Sequence, residues 1–537
     1  MSSEYSIEQE ITLLEQDAAR LQETLAELRQ QVALEKRAVI QLKIVELERE
    51  LVVINEQVAQ INKGAGILPD SATANPPATL YQVPALPSYM VTPSAIFNVI
   101  RTTLISKTKA IDKSATPKPP LLIQAPSGMG KSLLASMLAH DEAVRRTFPD
   151  GIIWIQLGQQ PDLLSFQMKL VQLLSGKSVE LLDLQQGAEY LRQLGANRSC
   201  LLILDDARDV YEVLMFNVLG KNCQILMTTS DTTLLDFLKH SMPAIQGHTL
   251  HPLEEEQAMQ FFLHNVNQTN NLAKLEEVRK IVRACDYLPL TVKLMATLLR
   301  QQPLPSWQEC IKILQQSRNN DFPDSHPHTL MQAMQINLDA LEEQSEYYLT
   351  LAIFINYTRI PQATVVMLWR YLYHLPTEPA YQFLAKLAEQ GLLRLQESYI
   401  QLHTFQHDYL YTNCADVDNL HTHLLTAYRR HCQHGWASGP NDGYFFQYLC
   451  QHLLAAERLS ELKSLLLDFD WLRAKWRVCP LHSLLKDYNL LPDDSEINRV
   501  KQALLTAAPT LLVQRKQLAN QLFKQLKTNY TPDMEKL

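Results

Sequence analysis

Residues 119–139, PPLLIQAPSGMGKSLLASMLA, constrain the fold more than any other stretch of the chain. A short apolar run, Leu121 to Ile123, breaks at Ala125-Pro126-Ser127-Gly128-Met129-Gly130-Lys131-Ser132, and a helix-patterned segment begins at once. This is a strand, a glycine loop and a helix. The loop meets the pattern G-x-x-x-x-G-K-[ST] everywhere except the first glycine, which is Ala125. Gly128 and Gly130 lack a Cβ, so the backbone can turn its N–H groups inward around an anion at a helix N-terminus, where the partial positive charge favours it. Lys131 is placed to reach the β- and γ-phosphates of a nucleotide, and the Ser132 hydroxyl to ligate Mg²⁺.

The following residues extend this into an alternating β/α domain. PDGIIWIQLG, residues 149–158, is β-branched and aromatic between turn residues and predicts a second buried strand. Helix-patterned segments at 162–175 and 183–194 precede Cys200-Leu201-Leu202-Ile203-Leu204-Asp205-Asp206. A buried strand running into two carboxylates is expected to deliver Asp205 to the Mg²⁺ side of the phosphate pocket and Asp206, as candidate base, toward an attacking water. A fourth strand, Gln224 to Met227, runs into Thr228-Thr229-Ser230-Asp231. The hydroxyls of this stretch, Thr229 foremost, either sense the γ-phosphate or, for the two threonines, cap the helix that follows.

Composition bounds the rest. A length of 537 residues accommodates several domains, and 46% hydrophobic with 20% charged residues is the balance of a globular protein. The net charge of −8 argues against nucleic acid as the main ligand. Eight cysteines occur with no C-x-x-C pair, the usage of a reducing compartment. The N-terminus has no basic region followed by an apolar core, and no run of about 18 apolar residues occurs. A cytoplasmic protein that neither spans nor requires a membrane is expected.

The first 63 residues follow a different logic. Apolar residues at Ile7, Ile11, Leu14, Ala18, Leu21, Leu25, Leu28 and Val32 form a heptad seam. It resumes at Ile40, Ile44, Leu47, Leu51, Ile54, Val58 and Ile61, displaced by one residue. The pattern predicts a coiled-coil arm that meets a copy of itself or an unidentified protein partner; an amphipathic helix packed on the same chain is the alternative. Gly64-Ala65-Gly66 ends it, and the proline-rich residues 67–88 read as an extended linker. A helix is expected from Pro93 to Lys107.

FPDGIIWIQLG, LLILDDARD and ILMTTSD, in this order after the glycine loop, resemble the NB-ARC class of STAND P-loop NTPases, and most of all the apoptosome-forming ATPase of animals. Downstream, Leu250-His251-Pro252-Leu253 with EEEQAMQFF looks like the start of the family's helical domain, and Cys285-Asp286-Tyr287-Leu288-Pro289-Leu290 stands in the place of its G-L-P-L motif. Gln401-Leu402-His403-Thr404-Phe405 stands where its winged-helix domain has M-H-D or L-H-D, and residues 418–492 resemble its second helical domain. The resemblance implies a multidomain α/β plus α chain: coiled coil 1–63, linker 64–88, parallel-sheet nucleotide-binding domain 89–248, helical domain 249–322, winged helix 323–415 and C-terminal helical domain 416–537.

It also implies a site. ADP or ATP with Mg²⁺ would be held by Ser127, Gly128, Met129, Gly130, Lys131, Ser132 and Leu133, with Thr229 nearby and the metal on Ser132 and Asp205. The adenine would meet Val91, in the segment Tyr89 to Pro93, and Pro289; His403 would touch the β-phosphate and lock a closed state. Ser230 replaces the arginine of the family's T-T-R, so the cation that senses the γ-phosphate is absent or supplied elsewhere, and Thr404 replaces the aspartate after the histidine. The expected function is a switch whose exchange of ADP for ATP opens the chain, drives homo-oligomerisation and clusters the coiled-coil arms, with slow hydrolysis for resetting. The alternatives are a permanently ADP-bound scaffold and a winged-helix transcription regulator. Trp436, Trp471 and Trp476 are expected core anchors of the C-terminal helices. The histidines from His403 to His434 beside Cys432 lack the paired spacing of a zinc site.

Overall fold

A computed structural model describes residues 78–87, 89–91, 94–106, 118–158, 161–177, 179–266, 275–300, 306–315, 326–354 and 359–526. The coiled-coil arm, 1–63, lies outside the described residues. Those described fall into two compact units, one within 87–93 and 252–317, the other within 78–86, 94–251 and 318–537. No helix among them is long and apolar enough to cross a membrane.

The larger unit opens with the nucleotide-binding region expected from the glycine loop. Its six strands are β1 (Leu80–Tyr81), β2 (Leu121–Gln124), β3 (Ile152–Gln156), β4 (Leu201–Asp205), β5 (Gln224–Thr229) and β6 (Gln246–Thr249), in the order β1-β3-β4-β5-β2-β6 and parallel throughout. Helices cover both faces of a parallel sheet, so its inner strands bury both sets of side chains and read as unbroken apolar runs. Leu121 to Ile123, Leu201 to Leu204 and Leu226 with Met227 are accordingly fully buried. The helices expected at 162–175 and 183–194 are Leu163–Ser175 and Leu184–Gly195, each started by an aspartate whose carboxylate accepts a backbone N–H, Asp162 from Ser165 and Asp183 from Gln186.

Two features differ from expectation. Leu80 and Tyr81, read as part of the linker, pair with Ile152 and Ile153 as an edge strand. Strand β6 carries no apolar pattern; it is held in register on β2, Leu121 with Gln246 through Gln124 with Thr249, by backbone pairing and by Gln124 Nε2 donating to Thr249 Oγ1 at 3.1 Å.

A second, antiparallel sheet follows, ordered β7 (Ile360–Pro361), β9 (Tyr399–Gln401), β8 (Arg394–Gln396), with helices His328–Asp339, Gln362–Tyr373 and Thr377–Glu389 around it. This is the helix-and-wing arrangement expected for 323–415. Its core is anchored by Trp369, whose indole N–H donates to the Thr350 hydroxyl at 2.9 Å. Helix Thr404–Asn413 leaves the sheet directly after β9. The C-terminal helices pack around Trp436, Trp471 and Trp476, all buried. Within them Lys475 Nζ meets Asp487 Oδ2 at 2.5 Å in a fully enclosed ion pair.

The smaller unit holds helices Glu255–Val266, Leu275–Ala284, Pro289–Arg300 and Trp307–Gln315. Tyr89 stacks on His264 with ring centroids 3.8 Å apart. The segment around Val91, read as the start of the nucleotide-binding domain, therefore packs with the helical unit instead.

Candidate functional site

Strand β2 ends at Gln124, and the chain must turn sharply to enter helix Lys131–His140. Gly128 and Gly130 supply the turn with φ of 82° and 90°, a region L side chains avoid. A Cβ built on Gly130 meets nothing within 4 Å, so that side of the loop is an open concavity. Among the described residues no acceptor is found for the backbone N–H groups from Ser127 to Leu133. A run of inward donors at a helix start is a fixed arrangement for an oxyanion.

The charged side chains converge on the same end of the sheet. Lys131 Nζ donates to the carbonyls of Ala125 at 2.7 Å and Pro126 at 2.9 Å. Burial pushes its pKa down to about 8, against the pull of Asp206 and Asp205. Ser132 Oγ donates to Asp205 Oδ1 at 2.7 Å, and Thr228 Oγ1 donates to the same oxygen at 2.6 Å. Burial raises the Asp205 pKa, and these two hydroxyls oppose it. The glycine loop and the acid strand, far apart in sequence, thus share one hydrogen-bonded cluster.

Asp206 lies immediately beyond β4 with φ of 60°. Its backbone N–H donates to Thr228 Oγ1 at 2.9 Å, and its Oδ2 accepts from Arg208 Nη2 and from Thr404 Oγ1, each at 3.3 Å. Thr404 is the first residue of the helix that leaves the winged-helix sheet. His403 caps that helix, its backbone N–H donating to Gln406 Oε1 at 2.9 Å. The imidazole lies in the field of both Asp206 and Lys131; burial, with Arg394, pushes its pKa down to about 3. Its Nδ1 is buried without a hydrogen-bond partner among the described residues. A second contact joins the same two regions, Gln401 Nε2 donating to Gln156 Oε1 at 3.0 Å.

These observations fit a nucleoside diphosphate with Mg²⁺. The loop N–H groups and Lys131 match phosphate oxygens, the Gly130 concavity gives them room, and Ser132 and Asp205 are the hard oxygen ligands Mg²⁺ requires. The remaining sequence-predicted residues are placed as follows. Thr229, buried, uses its hydroxyl to accept from Asp231 N at 3.0 Å, a turn bond ahead of the next helix, whose N-cap is Thr233. Met129 is buried beneath the loop and Leu133 half-buried on the helix. Pro289 opens helix Pro289–Arg300, where a missing N–H costs nothing, after Asp286 and Tyr287 at φ of 51° and 56°. Val91 and Pro289 belong to the smaller unit.

Sequence reasoning did not single out Thr228 or Arg208. Thr228 bridges the two acids, and only the register of β5 on β4 distinguishes it from Thr229. Arg208 follows the acid pair by two residues, and its charge acts on Lys131 as well as Asp206.

Residues 106–272 match the NB-ARC domain family and residues 417–520 the APAF-1 helical domain family. Human apoptotic protease-activating factor 1 is 29% identical over 426 residues, 74% of this chain and 32% of that protein. A putative disease resistance protein of Arabidopsis thaliana is 26% identical over 298 residues, 53% of this chain and 45% of that one. The Aeropyrum pernix ORC2 protein, solved in ADPNP-ADP complexes, aligns with a TM-score of 0.32 and 13% identity over 63% of this chain and 95% of that chain. The chain spans about a third of the length of the apoptotic protease-activating factor 1 relatives it matches.

Proposed function

We propose, for a chain that belongs to the NB-ARC class of P-loop NTPases, a nucleotide-operated switch held closed by ADP and opened by exchange for ATP. The observation that carries it is the meeting of winged-helix residues with the phosphate side of the sheet: Thr404 on Asp206, with His403 in the field of Lys131. A ligand in the loop is then sensed by two domains at once. It favours whichever arrangement it fits better.

In the closed form the N–H groups of Ser127 to Leu133 and the Lys131 ammonium bind the diphosphate. The neutral His403 ring donates a hydrogen bond to it. Ser132 and Asp205 would hold Mg²⁺, which would supply charge neutralisation at the phosphates when ATP is bound. Asp206 must then release Thr404 to orient a water, which loosens the winged helix, permits homo-oligomerisation and clusters the N-terminal arms. Clustering raises the effective concentration of whatever the arms bind. Hydrolysis is slow and resets the switch.

A permanently ADP-bound scaffold is favoured by one observation: Asp206 is engaged by both Arg208 and Thr404, while Ser230 stands where a sensing arginine would. One experiment separates the readings. Nucleotide released from the purified chain by acid is identified by chromatography, and mass in solution is measured with ADP and with Mg²⁺ and a non-hydrolysable ATP analogue. ADP in wild type, its loss in Lys131→Arg and a larger mass with the analogue are expected. One mass in both nucleotides favours the scaffold, and full retention by Lys131→Arg removes the site.

A further inference from the structure

The other ends of β4 and β5 carry a second chemical site. Leu201 pairs with Gln224 in the parallel ladder, so Cys200 and Cys223, one residue earlier on each strand, are cross-strand neighbours. Gln224 N donates to Cys200 O at 3.0 Å, extending the ladder to this pair. The two Sγ atoms lie 3.2 Å apart. Neighbouring strands are about 4.8 Å apart, inside the Cα separation a disulfide spans.

We propose that Cys200 and Cys223 are a peroxide-sensitive dithiol that closes to a reversible disulfide. Three observations set their roles. Cys200 is fully enclosed, whereas Cys223 lines a surface cleft with Lys118, Pro120, Asn217, Gly220 and Gln224. The Lys118 ammonium lies in the field of Cys223 and favours its thiolate, while Asp150 opposes it. Either sulfur can donate the S–H between them, and that bond lowers the pKa of Cys223 while, with burial, it raises that of Cys200. Cys223 is therefore the attacking sulfur and Cys200 the resolving one.

The chemistry balances with a hydroperoxide as oxidant. The Cys223 thiolate attacks one peroxide oxygen, the O–O bond breaks, and the leaving hydroxide takes a proton to become water; Cys223 is now a sulfenic acid. The Cys200 sulfur attacks the Cys223 sulfur and the S–O bond breaks. The Cys200 proton goes to the leaving hydroxide, giving a second water. Two thiols have lost two electrons, and hydrogen peroxide has become two waters. In a reducing compartment a thiol reductant returns the pair to its starting state. The disulfide would pin the register of β4 on β5, the strands that deliver Asp205 and Thr228 at their opposite ends.

The test uses the full chain treated with hydrogen peroxide, alkylated and digested with trypsin, which places Cys200 in peptide 199–208 and Cys223 in peptide 222–239. The expected result is a cross-link between these two peptides, reversed by dithiothreitol, with Cys200→Ser leaving a dimedone-reactive Cys223. Cys223→Ser should slow oxidation of Cys200 by about tenfold or more. Cys223 advancing to sulfinic acid without a cross-link overturns the proposal. So does retention of both thiols at a peroxide dose that oxidises the half-exposed Cys414. The wild-type peptide map decides the question even where a serine variant does not fold.

Discussion

Lys131 in the glycine loop and Lys475 among the C-terminal helices are both buried, yet their surroundings answer the burial in opposite ways. Around Lys475, Asp487 stands 2.5 Å from the ammonium. Burial, the largest single influence, works to lower its pKa, but Asp487 together with Cys450 and Cys479 raises it. Around Lys131 the nearest acceptors are two carbonyls, Asp205 is occupied by Ser132 and Thr228, and burial prevails. The first lysine is a completed structural pair; the second is a cation arranged beside inward N–H donors. Enclosed charge that is paired specifies a core, and enclosed charge that is held by dipoles alone marks a site for an anion.

The strongest way to break this comparison is to delete each lysine. Lys475→Met leaves Asp487 enclosed without its partner and should lower unfolding stability by about 3–5 kcal/mol. Lys131→Met leaves two carbonyls short of a donor and should cost the nucleotide-free protein about 1 kcal/mol, while abolishing stabilisation by ADP. Denaturant titration with and without ADP reads both, and equal losses in the absence of nucleotide would contradict the distinction.

A smaller effect is expected at Thr404→Asp, which restores the residue of the family motif but sets a carboxylate against Asp206. Partly offset by Arg208, the repulsion should speed hydrogen exchange at the start of helix Thr404–Asn413 by about tenfold, roughly 1.4 kcal/mol. Unchanged exchange would mean that Thr404 does not hold the winged helix in place.

The smallest effect sharpens the Lys131 side. With a pKa of about 8 the free amine is half protonated at that pH, and a bound diphosphate raises the pKa. Nucleotide binding should therefore take up about half a proton at pH 8 and almost none at pH 6.5. Affinity is full below the free-state value and declines as pH rises through it, by about twofold at pH 8. Calorimetry in buffers of different ionisation enthalpy measures the uptake, and proton release would place the lysine elsewhere.

Much of this was legible beforehand because buried parallel strands must be apolar and a phosphate loop must be glycine-rich. The runs at Leu121, Ile152, Leu201 and Gln224 announced the inner sheet, and the loop itself announced the anion site. The edges were not legible. Strand β6 is held by pairing with β2, only His248 among its side chains is half-buried, and nothing in QGHT separates it from a loop. Residues 80 and 81 sit in a proline-rich stretch, and only the open edge of β3 recruits them. Within the site, Thr228 and Thr229 are equivalent in sequence; the pleat sends one hydroxyl to Asp205 and leaves the other to accept from Asp231 N in the following turn.

By itself the order of residues determined that a glycine loop lies between a strand and a helix, that an acid pair ends another strand, and that a histidine stands in a later motif resembling that of the family's winged helix. Those are local facts, set by backbone freedom, side-chain polarity and periodicity. Tertiary structure decided which of them meet: Ser132 with Asp205, Thr404 with Asp206, Cys200 with Cys223, and Tyr89 with His264 in the smaller unit. Such meetings depend on strand order, register and the packing of one domain on another. They arise from burial and pairing summed over the whole fold, and no short window of sequence contains that sum.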